Sequence, residues 1–195
     1  NDYIYVNGAE AAIDERKKEG IVRKLSDRHF GIGGDGVIFI HSLSGEDAIA
    51  DFEMEMYNAD GSRAEMCGNG IRCVAKYVYD KGLTDKGKIR IASCGKVKYL
   101  DLAIKEGKVA NVRVNMGAPI LAAEDIPVIS GQKEAIAERI EVEGKDYEMT
   151  CVSMGNPHAV VFMKAWEDLD SFALEKIGPY FENHMRFPKR TNTEF

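Results

Sequence analysis

The sequence predicts an α/β (α+β) protein, and three observations predict it. Asp51–Asn58 alternates apolar and polar residues with the period of a strand. Ile71–Tyr79 instead carries Ile71, Val74, Ala75 and Val78 at helical spacing. Lys88–Ala92, Lys96–Ile104 and Val109–Met116 then follow as consecutive strand-like runs, divided by turns at Ser93-Cys94-Gly95 and Glu106-Gly107. Strands and helices share one stretch of chain.

Taken in order, Tyr3–Val6 reads as a short strand closed by the turn pair Asn7-Gly8. Ala11–Arg28 reads as a helix with Ile13, Ile21, Val22 and Leu25 on its apolar face, interrupted by Gly20, and the charged run Asp14–Glu19 reads as its solvated surface. The next stretch, Gly31–Gly36, formally fits G-x-G-x-x-G, but a dinucleotide fingerprint follows a strand and opens a helix. Here a helix precedes it and the β-rich Val37–His41 follows, so a tight loop is expected and no dinucleotide site. In Asp51–Asn58, Phe52, Met54 and Met56 point into a core while Glu53, Glu55 and Tyr57 point away, as in a half-buried strand. The helix after it runs to about Lys81-Gly82, where the glycine suits a C-cap. Gly117-Ala118-Pro119 is the best boundary. Beyond it, Arg139–Val142 and Tyr147–Ser153 form a hairpin across Glu143-Gly144-Lys145, Met154–His158 interrupts the strands, and Ala159–Met163 resumes them. Asp168–Ile177 reads as a helix stopped by Gly178-Pro179, and Phe187–Phe195 as a loop feeding a strand.

Composition narrows the classes. The 195 residues suffice for one or two domains with a full core, and 45% hydrophobic with 30% charged residues is ordinary for a globular protein. With a net charge of −6, a pI near 5.3 and no basic run interleaved with aromatics, nucleic-acid binding is not expected. The apolar runs are too short to span a bilayer, and no signal peptide is visible. The cysteines, Cys67, Cys73, Cys94 and Cys151, are spaced by six, 21 and 57 residues, which fits neither a zinc site nor a compact disulfide framework. Free thiols in the cytoplasm are the expectation, with no metal and no cofactor. The chain starts at Asn1 and stops at Phe195 with a strand barely begun, so both ends are expected to lie inside a longer protein.

One stretch stands apart: Met66-Cys67-Gly68-Asn69-Gly70-Ile71-Arg72-Cys73. Cys67 sits among Gly and Asn at the mouth of a helix, where backbone can approach a ligand closely. A helix N-terminus favours a nearby anion by about 0.3–1 kcal/mol, and by about 2 when partly buried, which favours the thiolate. The N–H groups of Gly68, Asn69 and Gly70 suit a carboxylate or phosphate. Cys73, six residues on and roughly 240° around the helix, is expected to be an inert core thiol. His158, after Gly155-Asn156-Pro157, is the best-placed partner for the thiol, whereas His41 and His184 read as solvated. Nucleophilic attack and proton transfer beside a carboxylate both remain open.

These motifs resemble the diaminopimelate epimerases, pyridoxal-independent amino-acid epimerases. The resemblance is carried by Asn1-Asp2, Asp27–Gly36, Tyr57–Ser62, Met66–Cys73, Val114–Pro119, Ser153–His158 and Phe187–Phe195, in the family's order. It implies two pseudo-symmetric halves, each a curved, mostly antiparallel sheet around a central helix, with the active site between them. Residues 1–117 would be the N-terminal epimerase half carrying Cys67, and 118–195 an incomplete C-terminal half. It further implies a two-base isomerase of lysine and peptidoglycan precursor synthesis that interconverts L,L- and meso-diaminopimelate without a cofactor. Cys67 matches one proton-transfer cysteine and His158 the residue that tunes it. Asn1, Asn58, Asn156 and Asn192 match substrate-holding side chains, and Gly68 and Asn69 the carboxylate cradle. A small-molecule substrate and a homodimer are the partners implied.

The departures are specific. The second cysteine's Ala-Cys-Gly-Thr-Gly-like context is absent, so this chain alone is expected to be inactive, and some relatives place a polar substrate contact where Gly36 stands. The alternatives are a related racemase such as proline racemase, a Cys–His hydrolase using Cys67 and His158, and a binding module that keeps the cradle without chemistry. Proline-racemase-like chains typically have Cys-Gly-His where this one has Cys67-Gly68-Asn69.

Overall fold

The computed structural model describes residues 2–8, 10–11, 13–45, 48–64, 66–163 and 170–195. It divides into two compact units, Asn1–Met116 and Gly117–Phe195.

The first unit contains β1 (Tyr3–Asn7), α1 (Glu15–Ser26), β2 (Gly36–Ser42), β3 (Phe52–Asn58), α2 (Gly68–Asp80), β4 (Lys88–Ser93), β5 (Lys96–Lys105) and β6 (Lys108–Asn115). Its six strands form one sheet in chain order. The pairs β1–β2 and β3–β4 are parallel, and the other neighbours are antiparallel. The period of two decides which side each residue takes. In β2, Ile38 and Ile40 join the α2 core, while Val37 and Phe39 face α1. The α2 stripe Ile71, Val74, Ala75 and Val78 is wholly buried, against side chains drawn from every strand between β2 and β6. Five consecutive strands reach one helix only if the sheet curls around it. Two-residue turns close β4–β5 at Cys94-Gly95 and β5–β6 at Glu106-Gly107, with φ of +49°/+72° and +52°/+75°. Positive φ at both central residues is what a tight hairpin twisting with its strands requires.

Several expectations are corrected here. The first helix begins at Glu15, because Asp14 caps it by accepting the Arg16 N–H at 3.0 Å. Its charged run is not all solvated: Lys18 is 3% exposed, and its ammonium lies 2.5 Å from Glu55 and also binds Glu15. β3 is covered on both faces, since Glu55 and Tyr57 are buried under α1. Glu55 also takes Arg63 at 2.6 Å, the Tyr57 hydroxyl at 2.8 Å and His41 Nε2 at 3.1 Å, so His41 is a strand residue with a partner. Cys73 is exposed on α2 rather than in the core, because the apolar stripe turns past it.

The loop Asp27–Asp35 joins helix to strand, as the reversed order of the Gly31–Gly36 motif implies. It folds onto the end of α1: Gly31 donates to Asp27, Ile32 and Gly33 to Leu25, and Gly34 to Ser26, all through backbone carbonyls. A Cβ on Gly31 would lie 2.0 Å from the Lys24 carbonyl oxygen, so only glycine fits.

The second unit contains β7 (Glu138–Val142), β8 (Lys145–Ser153), β9 (Pro157–Val161), α3 (Leu174–Glu182) and β10 (Asn192–Glu194). Its sheet runs β10-β9-β8-β7, with β10 parallel to β9 and the rest antiparallel. Two corrections follow. The resumed strand starts at Pro157, so His158 is a strand residue and only Met154-Gly155-Asn156 forms the loop. The third helix runs through Gly178-Pro179 to Glu182 rather than ending there. Its second turn is held by Phe181, which is fully buried and makes edge contacts with Tyr147 and Phe195 at 5.1 Å each. Burial of that ring, together with its two aromatic edge contacts, offsets the proline's cost of about 3 kcal/mol. The proposed start, Asp168 and Leu169, lies outside the described residues, and 170–173 are not helical. Among the described residues no helix is long and apolar enough to cross a membrane.

Candidate active site

Cys67 is the N-cap of α2. Its backbone is extended (φ −114°, ψ 115°), and its Sγ accepts the Gly70 N–H at 3.3 Å. A thiol in the place of a capping hydroxyl is what the Gly/Asn surroundings permit. A Cβ on Gly70 would come within 2.9 Å of Ile38 Cδ1 and 3.7 Å of the sulfur, so a side chain there would crowd the cap. The thiol is half-buried against the α2 core.

The expected cradle is corrected at one position. Gly70 spends its N–H on the sulfur, so Gly68 and Asn69, at the first two helical positions, are the donors without an intrahelical acceptor. Gly68 leaves open space above them, its built Cβ reaching only Met116 Cε at 3.8 Å. The Asn69 side chain is turned to the Arg72 guanidinium, which also donates to the Gly68 carbonyl at 3.2 Å. That leaves the Asn69 backbone as its contribution to an anion. The helix mouth therefore offers two N–H donors and a positive dipole end that stabilise an anion, beside the Cys67 sulfur.

Asn58 ends β3. Its Nδ2 donates to Ser62 Oγ at 3.0 Å, and Ser62 in turn donates to Asp60 at 2.6 Å, which fixes the amide's orientation. The Ser62 hydroxyl and N–H hold the Asp60 carboxyl below the usual range. Opposite Asn58 lies Gly36, where a Cβ would sit 2.0 Å from the Tyr57 carbonyl oxygen. No side chain fits there on this backbone. Tyr5 packs beside the thiol; burial and a hydrogen bond with Cys73 push its phenol upward. Asn1 lies outside the described residues.

In the second unit the structure brings Asn156, His158 and Asn192 together at one end of the sheet. His158 and Asn192 are register partners on β9 and β10, and Asn192 Nδ2 donates to the Pro157 carbonyl at 3.0 Å. His158 Nδ1 lies 2.6 Å from Glu194 Oε1, and Nε2 lies 3.0 Å from Asn156 Oδ1. The Glu194 carboxylate and the Asn156 amide oxygen fix the ring from its two nitrogens. Glu194 is the site residue the sequence reading missed. The signal was available: in Asn192-Thr193-Glu194 a strand's alternation puts Asn192 and Glu194 on one face.

The other cysteines lack such settings. Cys94 is exposed at its hairpin turn, with Sγ 3.6 Å from the Ala64 carbonyl. Cys151 is buried in β8, and that burial pushes its thiol up to about 11.

The profile of the family described as diaminopimelate epimerase matches residues 1–122. Diaminopimelate epimerase from Agathobacter rectalis is 55% identical over the whole of this chain and 68% of its own length. Those from Acetivibrio thermocellus and Methanococcus maripaludis are each 51% identical over the whole chain, and over 66% and 67% of their own lengths. The chain thus spans about two thirds of the relatives it matches. Among solved structures, a probable proline racemase from Agrobacterium radiobacter superposes with a TM-score of 0.55 at 13% identity, over 87% of this chain and 44% of that one. A phenazine biosynthesis protein from Bacillus anthracis superposes with a TM-score of 0.54 at 19% identity, over 82% and 49%. At such identities the structures establish a shared fold. The profile match and the sequence relatives establish more: the chain belongs to the diaminopimelate epimerase family.

Proposed function

We propose that the protein carrying this chain interconverts L,L- and meso-diaminopimelate by proton transfer at Cα, with Cys67 as one of two acid–base groups. The observation that carries this is the cap of α2, where a thiol and two N–H donors without intrahelical acceptors share one helix mouth. The Cys67 thiolate takes the Cα proton and becomes a thiol; the electron pair of the C–H bond passes into the carboxylate, which gains enediolate character. Donors already aimed at that carboxylate stabilise the developing charge without reorganising. A second acid then delivers a proton to the opposite face, leaving inverted configuration. Cys151 is unsuited to that role, being buried in a core. In the second unit, His158 is oriented by Glu194, and Asn156 and Asn192 offer amides that suit the ammonium and carboxylate groups of an amino acid. The reading includes a cytoplasmic setting and a homodimer.

The test is turnover of L,L-diaminopimelate by the wild-type protein and by Cys67→Ala. Loss of turnover in the variant, with no acyl-enzyme trapped on wild-type Cys67 by an ester substrate, supports the epimerase. Undiminished turnover by Cys67→Ala would contradict it, and so would a trapped acyl-enzyme, which would point to a hydrolase.

A further inference from the structure

We propose that Arg72 is a positioning residue for the anion cradle, holding and polarising the peptide group whose N–H is one of the two donors. This rests on the reading that the mouth of α2 takes the substrate carboxylate.

Arg72 is the fifth residue of α2, three residues after Asn69 and four after Gly68, so it shares a helix face with both. Its exposed side chain runs back toward the helix N-terminus, the direction in which helical side chains lean. Nε donates to the Gly68 carbonyl at 3.2 Å, and Nη2 donates to Asn69 Oδ1. The Gly68 carbonyl and the Asn69 N–H are the two ends of one planar peptide group. A cation bonded to that carbonyl draws electron density toward it, which makes the N–H at the other end a stronger donor. One guanidinium thus grips both the peptide group and the side chain of the residue that carries the donor.

The charge stands where helix energetics disfavour it. A helix N-terminus is positive, and an acidic residue in the first turn stabilises it. α1 and α3 follow that rule with Glu15 and Glu175, whereas α2 has no acidic residue in its first turn and receives a guanidinium there instead. An exposed contact of this kind contributes little to folding. What it favours is negative charge at the helix mouth: the substrate carboxylate, and still more the enediolate that develops from it.

Steady-state kinetics with L,L-diaminopimelate, on the protein carrying this chain, test the proposal with Arg72→Ala, Arg72→Lys and Cys67→Ala, beside thermal melts. Removing a whole preorganised donor costs about 100-fold or more, and Arg72→Ala only weakens one. Its kcat should therefore fall about tenfold while KM changes by less than about threefold. Its Tm should move by less than about 2 °C, because the side chain is exposed and Ala is the better helix former. Arg72→Lys keeps the charge and a donor, and its kcat should stay within about threefold of wild type. A raised KM with unchanged kcat in Arg72→Ala overturns the proposal, because Arg72 would then grip the substrate itself. Unchanged kcat and KM in Arg72→Ala, a kcat in Arg72→Lys as low as in Arg72→Ala, or a kcat loss accompanied by a larger fall in Tm also overturn it. Each of these leaves the functional reading intact where Cys67→Ala abolishes turnover. Undiminished turnover by Cys67→Ala instead overturns that reading.

Discussion

Gly68 is the residue at which the cradle can be tested without touching the thiol. It occupies the first helical position, where proline's fixed φ and missing N–H are tolerated, and the extended Cys67 before it has the backbone that precedes a proline. Gly68→Pro should delete one donor and keep the helix, whereas Gly68→Ala keeps the donor and meets only Met116 Cε at 3.8 Å. Relative to Gly68→Ala, Gly68→Pro should lower kcat/KM by about 100-fold, as removal of one preorganised donor does. Equal kinetics in the two variants would show that the N–H does no work. At this scale the sequence was informative wherever the backbone made the site: Cys67-Gly68-Asn69-Gly70 announced a capped helix mouth by residue type alone. It was silent on which N–H the sulfur would take, because that depends on a rotamer. It also misjudged Cys73, because one helical residue beside an apolar stripe can turn either way. Alternation put Glu194 on the face of Asn192, but its partner could not be read locally, because His158 is brought to it by strand pairing 36 residues away in sequence.

At the scale of elements, β3 shows where period-two reading stops. Phe52, Met54 and Met56 behave as their alternation requires, but nothing in the alternation says that α1 covers the opposite face. The cover is bought with charge: Glu55 is buried under Lys18, Arg63, His41 and Tyr57. Burial alone would raise its carboxyl; the hydrogen bonds from Lys18, Tyr57 and His41 outweigh burial and hold it below its ordinary 4.5. The sign follows from that depression. The carboxylate's contribution is fully present above about 4.5 and is lost as pH falls through the lower folded value. Glu55→Gln should therefore cost about 1–3 kcal/mol at pH 7, since it removes one of the two carboxylates that hold the buried Lys18. Urea unfolding should show that gap narrowing toward pH 3, as the wild-type carboxyl protonates. A gap that is the same at both pH values would contradict this account of how α1 is held. The third helix gives the complementary lesson. Gly178-Pro179 reads locally as a stop, and Phe181 overrides it from two residues beyond, because a fully buried ring with two aromatic edge contacts offsets what the proline costs.

For the molecule as a whole, the mixed α/β class was legible from alternation, turn glycines and one amphipathic helix, and tight turns such as Cys94-Gly95 leave little choice of neighbour. The curl of the first sheet was expected from the family resemblance, not from those patterns. The order of strands in the second unit was less legible, since β10 pairs in parallel with β9 across a long excursion that contains α3. Membership of the diaminopimelate epimerase family rests on the profile match and on identities of 55% and 51% over the whole chain. The account's central claim is that Cys67 moves the Cα proton. It is tested most directly by incubating the protein carrying this chain with a single stereoisomer of diaminopimelate in heavy water and following deuterium at Cα. The account predicts deuterium entering at Cα with the wild-type protein and none above background with Cys67→Ala. Exchange that survives the loss of Cys67, or turnover that leaves the Cα hydrogen in place, would contradict it.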